Sequence, residues 1–354
     1  MIRLLRRRTL YLAAAFPLAL LAAKPAAAQI GGQQAFSFLS LAPSAKIAAL
    51  GGVNVSTRDS DGSMIFGNPA LLNAEMDGRL ALSYVDYLAD IRQSTAAYVF
   101  NTARLGRIGV GLTYLSYGQF EQFDPAGNSL GTFGVNEYAL QASNAYTSGN
   151  ITMGGTLKLA VSGIAGNHSV GALADVGGIF KHPTQDFTVG LAVKNVGVQL
   201  RPYDGAGREP MPLDVQIGTS FKPEHMPLRF SLTAHRLQQL DIVYLDPNVR
   251  GQLDENNEEK KPKKSLGDKI ARHFVVGGEL LLGKNLNLRV GYNHLQRREL
   301  RLDNTSGGAG LSFGVLVRIS QFQFDYTHAS IHAAGGANYF TVARNIDSLF
   351  KKND

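Results

Sequence analysis

Asp246, Asn248 and Gly251 stand at positions 1, 3 and 6 of a calcium-loop pattern, in the run "DPNVRGQLDENNEEKKPKKS". Such a loop wraps a hard cation in oxygen ligands, with an oxygen donor at position 5 and a bidentate carboxylate at position 12. Here those positions hold Arg250 and Asn257, which put a positive charge in the ligand ring and remove its strongest donor. The stretch is better understood as a solvated loop of opposed charge blocks. Asp254, Glu255, Glu258 and Glu259 are followed by Lys260, Lys261, Lys263 and Lys264, a surface suited to docking a partner. His328 and His332 share one face if a strand runs through both, but then lie roughly 13 Å apart, too far for one ion. No HExxH, phosphate-loop or nucleophile-elbow motif occurs. The chain has no cysteine, so thiolate sites, disulfides and a lipoprotein anchor are excluded. No enzyme activity, cofactor or metal site is expected.

The elements that must position any chemistry begin with a leader. "MIRLLRRRTLYLAAAFPLALLAAKPAAAQ" has Arg3, Arg6, Arg7 and Arg8 ahead of an apolar stretch at 9–23, then Ala26-Ala27-Ala28 before Gln29. This is the pattern of a cleaved signal peptide over 1–28 and implies export. The leader carries five basic residues and no acid, so its removal takes the formal charge from +7 to +2. Nucleic-acid binding loses its support with it. No other stretch is long and apolar enough for a transmembrane helix.

Beyond residue 78 the hydropathy alternates. In "NLNLRVGYNH", Leu286, Leu288, Val290 and Tyr292 face one way, and Asn287, Arg289, Gly291 and Asn293 the other. Fourteen such runs are expected, near 79–88, 92–101, 107–117, 136–147, 150–162, 168–179, 186–195, 212–221, 227–237, 272–282, 285–296, 310–319, 321–331 and 336–347. Their length, roughly 9–11 residues, suits a tilted strand crossing a membrane, and the even number suits a barrel. The turns after even-numbered runs are short, as in "TSGN" and "GKN". Long loops are expected at 118–135, 196–211, 238–271 and 297–309. Short turns on one side and longer loops on the other are the mark of a transmembrane barrel, although the loops after runs 1, 5 and 13 are short too. The expected architecture is an all-β, 14-stranded antiparallel transmembrane β-barrel over 79–350, with a charged outer loop at 247–271.

Lipid then touches the apolar faces, and the polar faces line the lumen. The residues placed there are Lys158, Lys194, Asp214, Gln216, Arg229, Glu279, Arg289, Arg318 and Asp325. Tyr292 and Tyr326 are expected in an interfacial girdle. Gly109, Gly111, Gly154, Gly190, Gly218 and Gly291 fall on the inner face, where the missing side chain relieves crowding or lets another segment approach. Residues 29–78 do not alternate, which suits a plug in the lumen or a cap at its mouth. Asn68-Pro69-Ala70 is a turn, with Asn68 held out of the helical region by the proline.

"SAKIAALGGVNVS" with Gly51 and Gly52, followed by "FGNPALL" with Asn68, Pro69 and Ala70, resembles the N-terminal region of the FadL-like barrel superfamily. "GREPMPLDVQIG", "PLRFSLTAHRLQQLD", "ARHFVVGGELLLGKNLNLRVGYNHLQRRELRL" and "FQFDYTHASIHAAGGANYFTVARNI" narrow the likeness to the PorV/PorQ group of the type IX secretion system of Bacteroidetes. The resemblance implies a FadL-like barrel with an N-terminal plug at 29–78, in the bacterial outer membrane. It also implies a non-enzymatic role in the cell-surface attachment complex. Its partners would be a PorZ-like surface subunit, a PorU-like sortase and a PorV-like barrel. The rival class is a FadL-like transporter of a hydrophobic small molecule, which would need an apolar track where this chain places charges.

Overall fold

Alternating strands with one apolar face have two ways to satisfy their backbone and hide that face: a sandwich, or a closed wall in lipid. The computed structural model is a closed wall. It describes residues 34–243, 252–253, 259–260, 265–300, 308–332 and 335–347. The expected leader at 1–28 and Phe350 lie outside these.

Fourteen antiparallel strands pair in chain order and close first to last. They are β1 (Arg79–Asp86), β2 (Arg92–Thr102), β3 (Gly106–Phe123), β4 (Ser129–Ser148) and β5 (Ile151–Ile164). Next come β6 (Asn167–Lys181), β7 (Asp186–Arg201), β8 (Asp214–Lys222), β9 (Leu228–Ala234) and β10 (Phe274–Leu282). The last are β11 (Leu286–Asn293), β12 (Leu311–Ile319), β13 (Phe322–His332) and β14 (Gly335–Asn345). β14 closes on β1 from Arg79↔Asn345 to Asp86↔Asn338. Closure leaves no open edge at membrane depth, so ladder donors and acceptors there are paired within the protein.

The two faces are reversed relative to a water-soluble protein. On β5, Met153 and Leu157 are 65% and 73% exposed, while Thr156 and Lys158, the residues on either side of Leu157, are buried at 2% and 6%. Burying a lysine and exposing its leucine neighbour stabilises only a wall whose outside is lipid. Exposed aromatics ring both ends of that belt, with Tyr84, Tyr138, Tyr326 and Phe340 toward the loops and Tyr146, Phe180, Phe221 and Phe322 toward the turns. Tyr292 is half-buried, its hydroxyl 2.9 Å from His294 Nδ1.

Two expected loops are corrected. β3 and β4 continue into 118–135, leaving a tip at 124–128, and β7 continues to Arg201, leaving a loop at 202–213. The cause is a change of phase. Bulges shift the register between Ser116 and Gln119, and at Asn195 opposite Asp175, where Asn195 takes a left-handed φ of 60°. Each bulge flips which parity faces out, so alternation counted from sequence breaks while the strand goes on. In the connection after β9, α2 (Leu266–Ala271) has formed, and α3 (His294–Glu299) follows β11. Of the charged loop, Glu259 and Lys260 pair as a short strand with Gln252 and Leu253. Asp254, Glu255, Glu258, Lys261, Lys263 and Lys264 lie outside the described residues, as do Asp246, Asn248 and Gly251.

Residues 34–78 fold inside the wall. Ser44 caps the single-turn helix α1 (Ala45–Ala49), its hydroxyl accepting from Ile47 N. Gly51 and Gly52, at φ of 91° and 87°, end it by returning their N–H groups to Ala48 and Ile47.

Candidate functional site

The inward faces meet the N-terminal segment along most of its length, and residues 61–73 are all buried. Small polar side chains of the wall bond to that segment's backbone. Thr95, Thr188 and Thr327 donate to Pro43, Ser56 and Ala45 carbonyls, each at 2.7 Å. Asn293 donates to Gly51 O at 3.0 Å, and Ser312 to Ala49 O at 3.2 Å. The segment's orphan carbonyls are thus satisfied from several strands at once. The six inner glycines predicted from sequence all face this segment or neighbours packed on it. At Gly291 a Cβ would run into Gly51 N and Ala49 O, so backbone meets backbone there.

Asn68 holds the Asn-Pro-Ala turn against the wall. Its Oδ1 accepts from Ala70 N at 2.9 Å, and its Nδ2 donates to Val55 O at 2.9 Å, with Leu191 O and Gly178 O at 3.3 and 3.4 Å. Gly177 makes room for it, since a Cβ there would overlap Asn68 Oδ1. Pro69 and Ala70 press on Gly154 in the same way.

Four of the predicted lumen residues form one ionic chain. Glu279 lies between Arg229, at 3.1 Å, and Arg289, at 2.7 Å, and Arg289 continues to Asp325. Gln323 donates to the far oxygen of Asp325 at 2.8 Å. The chain reaches inward to the segment: Arg229 stands 3.7 Å from Asp59, which is ion-paired to Lys46. Glu279, Arg289, Asp325 and Lys46 are nearly inaccessible. Buried ions persist only when paired and hydrogen-bonded, which this alternation of sign achieves.

A second cluster joins Lys158 to Asp175 at 2.6 Å and to Asn195 at 2.9 Å, with Asn195 N bonded to Asp175 at 2.8 Å. Lys194, Asp214 and Gln216 line a small cavity beside it, and Gln216 donates to Asp214 at 2.6 Å. Arg318, nearer the turn side, joins the ionic chain only through Gln323, to which it donates at 3.2 Å, and also donates to Lys284 O at 2.8 Å. His328 bonds Asn338 at 3.0 Å, and among the described residues no cluster of metal-ligating side chains exists.

Sequence reasoning missed Lys46, Asp59, Asp175 and Asn195. Asp175 was visible, as an acid on the polar parity of β6. Lys46 and Asp59 gave no periodic signal, because their segment has no repeating face.

Two chambers lie between the segment and the loop side. The larger, about 530 Å³, is bounded by Ala48 and Gly51 below and by His235, Gln296, Glu299, Leu311 and Tyr339 around. His235 is buried, and its Nε2 has no hydrogen-bond partner. The smaller, about 280 Å³, is apolar, walled by Phe38, Leu88, Ile91, Leu115 and Tyr117, and shares Leu41, Tyr87 and Ile331 with the larger. Above them α2 and α3 are clamped. Asp268 receives Arg272 at 2.9 Å, Arg298 at 3.0 Å and His294 at 3.4 Å. Partial burial alone would raise the Asp268 carboxyl, but the bond from Arg272 and the charges of Arg272 and Arg298 hold it below the ordinary carboxylate range.

The wall, belt and filled lumen define a plugged transmembrane β-barrel of the outer-membrane type. No protein-family model matches the chain, and no curated protein matches it. Among solved structures it is similar to the TodX monoaromatic hydrocarbon channel deltaS2 mutant, at 13% identity over 86% of this chain and 97% of that one, TM-score 0.46. A Pseudomonas aeruginosa FadL homologue gives 10% identity, coverage of 85% and 97%, and a TM-score of 0.47. Omp33 of Acinetobacter baumannii gives 8%, coverage of 75% and 95%, and 0.35.

Proposed function

We propose that this barrel is a non-enzymatic outer-membrane anchor of the PorQ kind, holding soluble subunits of a type IX attachment complex on the cell surface. The sequence motifs suggest the system. The observation that carries the anchoring role is the buried ionic chain from Lys46 and Asp59 through Arg229, Glu279 and Arg289 to Asp325. Among the described residues, a lumen crossed by paired charges and packed with the N-terminal segment offers no continuous apolar track, so the loop side is left as the working surface.

A second reading has its own support. The paired chambers, apolar outside and mixed within, favour a transporter of a hydrophobic small molecule. A mild-detergent pull-down from outer membranes, with mass spectrometry of proteins and lipids, separates the two. An anchor retains a sortase-like protease and a large soluble surface subunit. Recovery of the barrel alone with a stoichiometric hydrophobic ligand overturns that role and establishes transport.

A further inference from the structure

β3 and β4 run beyond every neighbour. Pairing of β2 with β3 ends at Arg92↔Ser116, and pairing of β4 with β5 ends at Val135↔Ile164. Past those points β3 and β4 pair only with each other, from Gln119↔Gly134 to Phe123↔Ser129. Residues 117–134 are therefore a two-stranded ribbon with both outer edges unpaired. Its tip is built: Asp124 accepts from Ala126 N at 2.9 Å, Asn128 N at 2.8 Å and Asn128 Nδ2 at 2.9 Å.

The ribbon stands outside the lipid. Ile108, Val110, Leu112 and Tyr114 face out on β3, and Ala142, Leu140 and Tyr138 on β4. The two tyrosine rings meet at 4.9 Å, and Tyr114 donates to Asn136 at 2.9 Å. The next outward residues, Ser116 and Asn136, are polar, so the apolar belt ends at that tyrosine pair. Phe120 lies roughly 20 Å further along the strand by the rise per residue. Past the bulge both faces of the ribbon carry apolar side chains, Phe120 and Phe133 on the parity that continues the inner wall and Phe123 on the outer. Phe120, Phe123 and Leu130 are exposed, and Phe120 stacks on Phe133 at 5.7 Å. Glu121 and Asp124 are the ribbon's charges, with no lysine or arginine from 118 to 134.

We propose that residues 117–134 dock an extended strand from a soluble surface protein, apolar on the side facing Phe120 and Phe133 and basic at its ends. Unpaired N–H and C=O rows are answered by another backbone, which neither a lipid nor a small molecule supplies. A second copy of this chain would set Glu121 and Asp124 against their own kind, whereas a basic strand neutralises them. The inference rests on the reading that the loop side binds proteins, and names the element that does so.

The test uses the full barrel in phospholipid nanodiscs, with a short peptide of alternating Val and Thr flanked by lysines. The peptide is expected to slow amide exchange on the ribbon's edges about tenfold. A glutamate-flanked version binds more weakly, a proline-interrupted one does not bind, and F120S/F133S abolishes the protection. Equal protection by all three peptides, none by any, protection from lipopolysaccharide vesicles alone, or protection that rises only with barrel concentration overturns the proposal. In cells, the ribbon is replaced by a tight turn, with heat-modifiability on gels confirming that the barrel folds. Loss of surface subunits that the intact barrel retains supports the assignment. If they stay bound without the ribbon, this inference fails and the anchoring role stands. If the intact barrel retains none while the peptide still binds, the anchoring role fails and the strand site stands.

Discussion

Arg289 is the residue whose removal leaves most behind it. It neutralises both Glu279 and Asp325 in a site closed to water. Arg289→Met leaves buried Asp325 without a cation and Glu279 with Arg229 alone, and a loss of about 3–5 kcal/mol is expected in urea unfolding from lipid vesicles. Adding Asp325→Asn should recover most of that loss, because the penalty comes from the uncompensated charge rather than from the missing bonds. Asn68 is the corresponding point of the N-terminal segment. Asn68→Ala leaves Val55 O and Ala70 N without their partner, at about 1–3 kcal/mol, which a shift in the heat-modifiability midpoint on semi-native gels would register. At this scale the sequence told parity and little more. It put Glu279 and Arg289 on the same face, but that they are direct cross-strand partners depends on the register. Lys46 and Asp59 became partners only through the path of a segment without periodicity.

At the scale of elements, the clamp of α2 on α3 should depend on pH. The folded Asp268 carboxyl lies below its unfolded value, so its contribution is complete above about pH 4 and falls away as pH drops through the folded value. Amide protection in α2 is therefore expected to hold from neutral pH down to about pH 5 and to decline below about pH 4, with Asp268→Asn removing the dependence. The strands were legible because a two-residue period survives without tertiary knowledge, and the fourteen runs read from residues such as Leu286, Leu288 and Val290 are the fourteen strands. Their outer ends were not, since a bulge such as that at Asn195 inverts the pattern without ending the strand. The course of residues 34–78 was not legible either. The inner glycines gave its one trace, showing where something would come close without saying what.

For the whole molecule, the faces of the wall make opposite demands. Leu157→Arg, midway along β5 on the lipid side, is expected to cost about 2–4 kcal/mol in folding into vesicles. A matching change on the loop-side ribbon should leave folding unaltered. Planar-bilayer recordings should find the intact barrel nearly silent. The wall is also uneven in height: β3 to β7 run 14 to 20 residues, and β8 to β12 only 7 to 9. A strand needs about 9–11 residues to cross, so β8, β10 and β12 just reach that span, while β9 and β11 fall one or two residues short of it and favour a thinner bilayer. Each ångström of that mismatch costs a fraction of a kcal/mol, spread over the surrounding lipid. The bilayer is therefore expected to thin on the flank of β9 and β11. Other short-spanned proteins relieve the same deformation by settling beside it, so the membrane itself gives this molecule a preferred neighbour direction before any side chains touch.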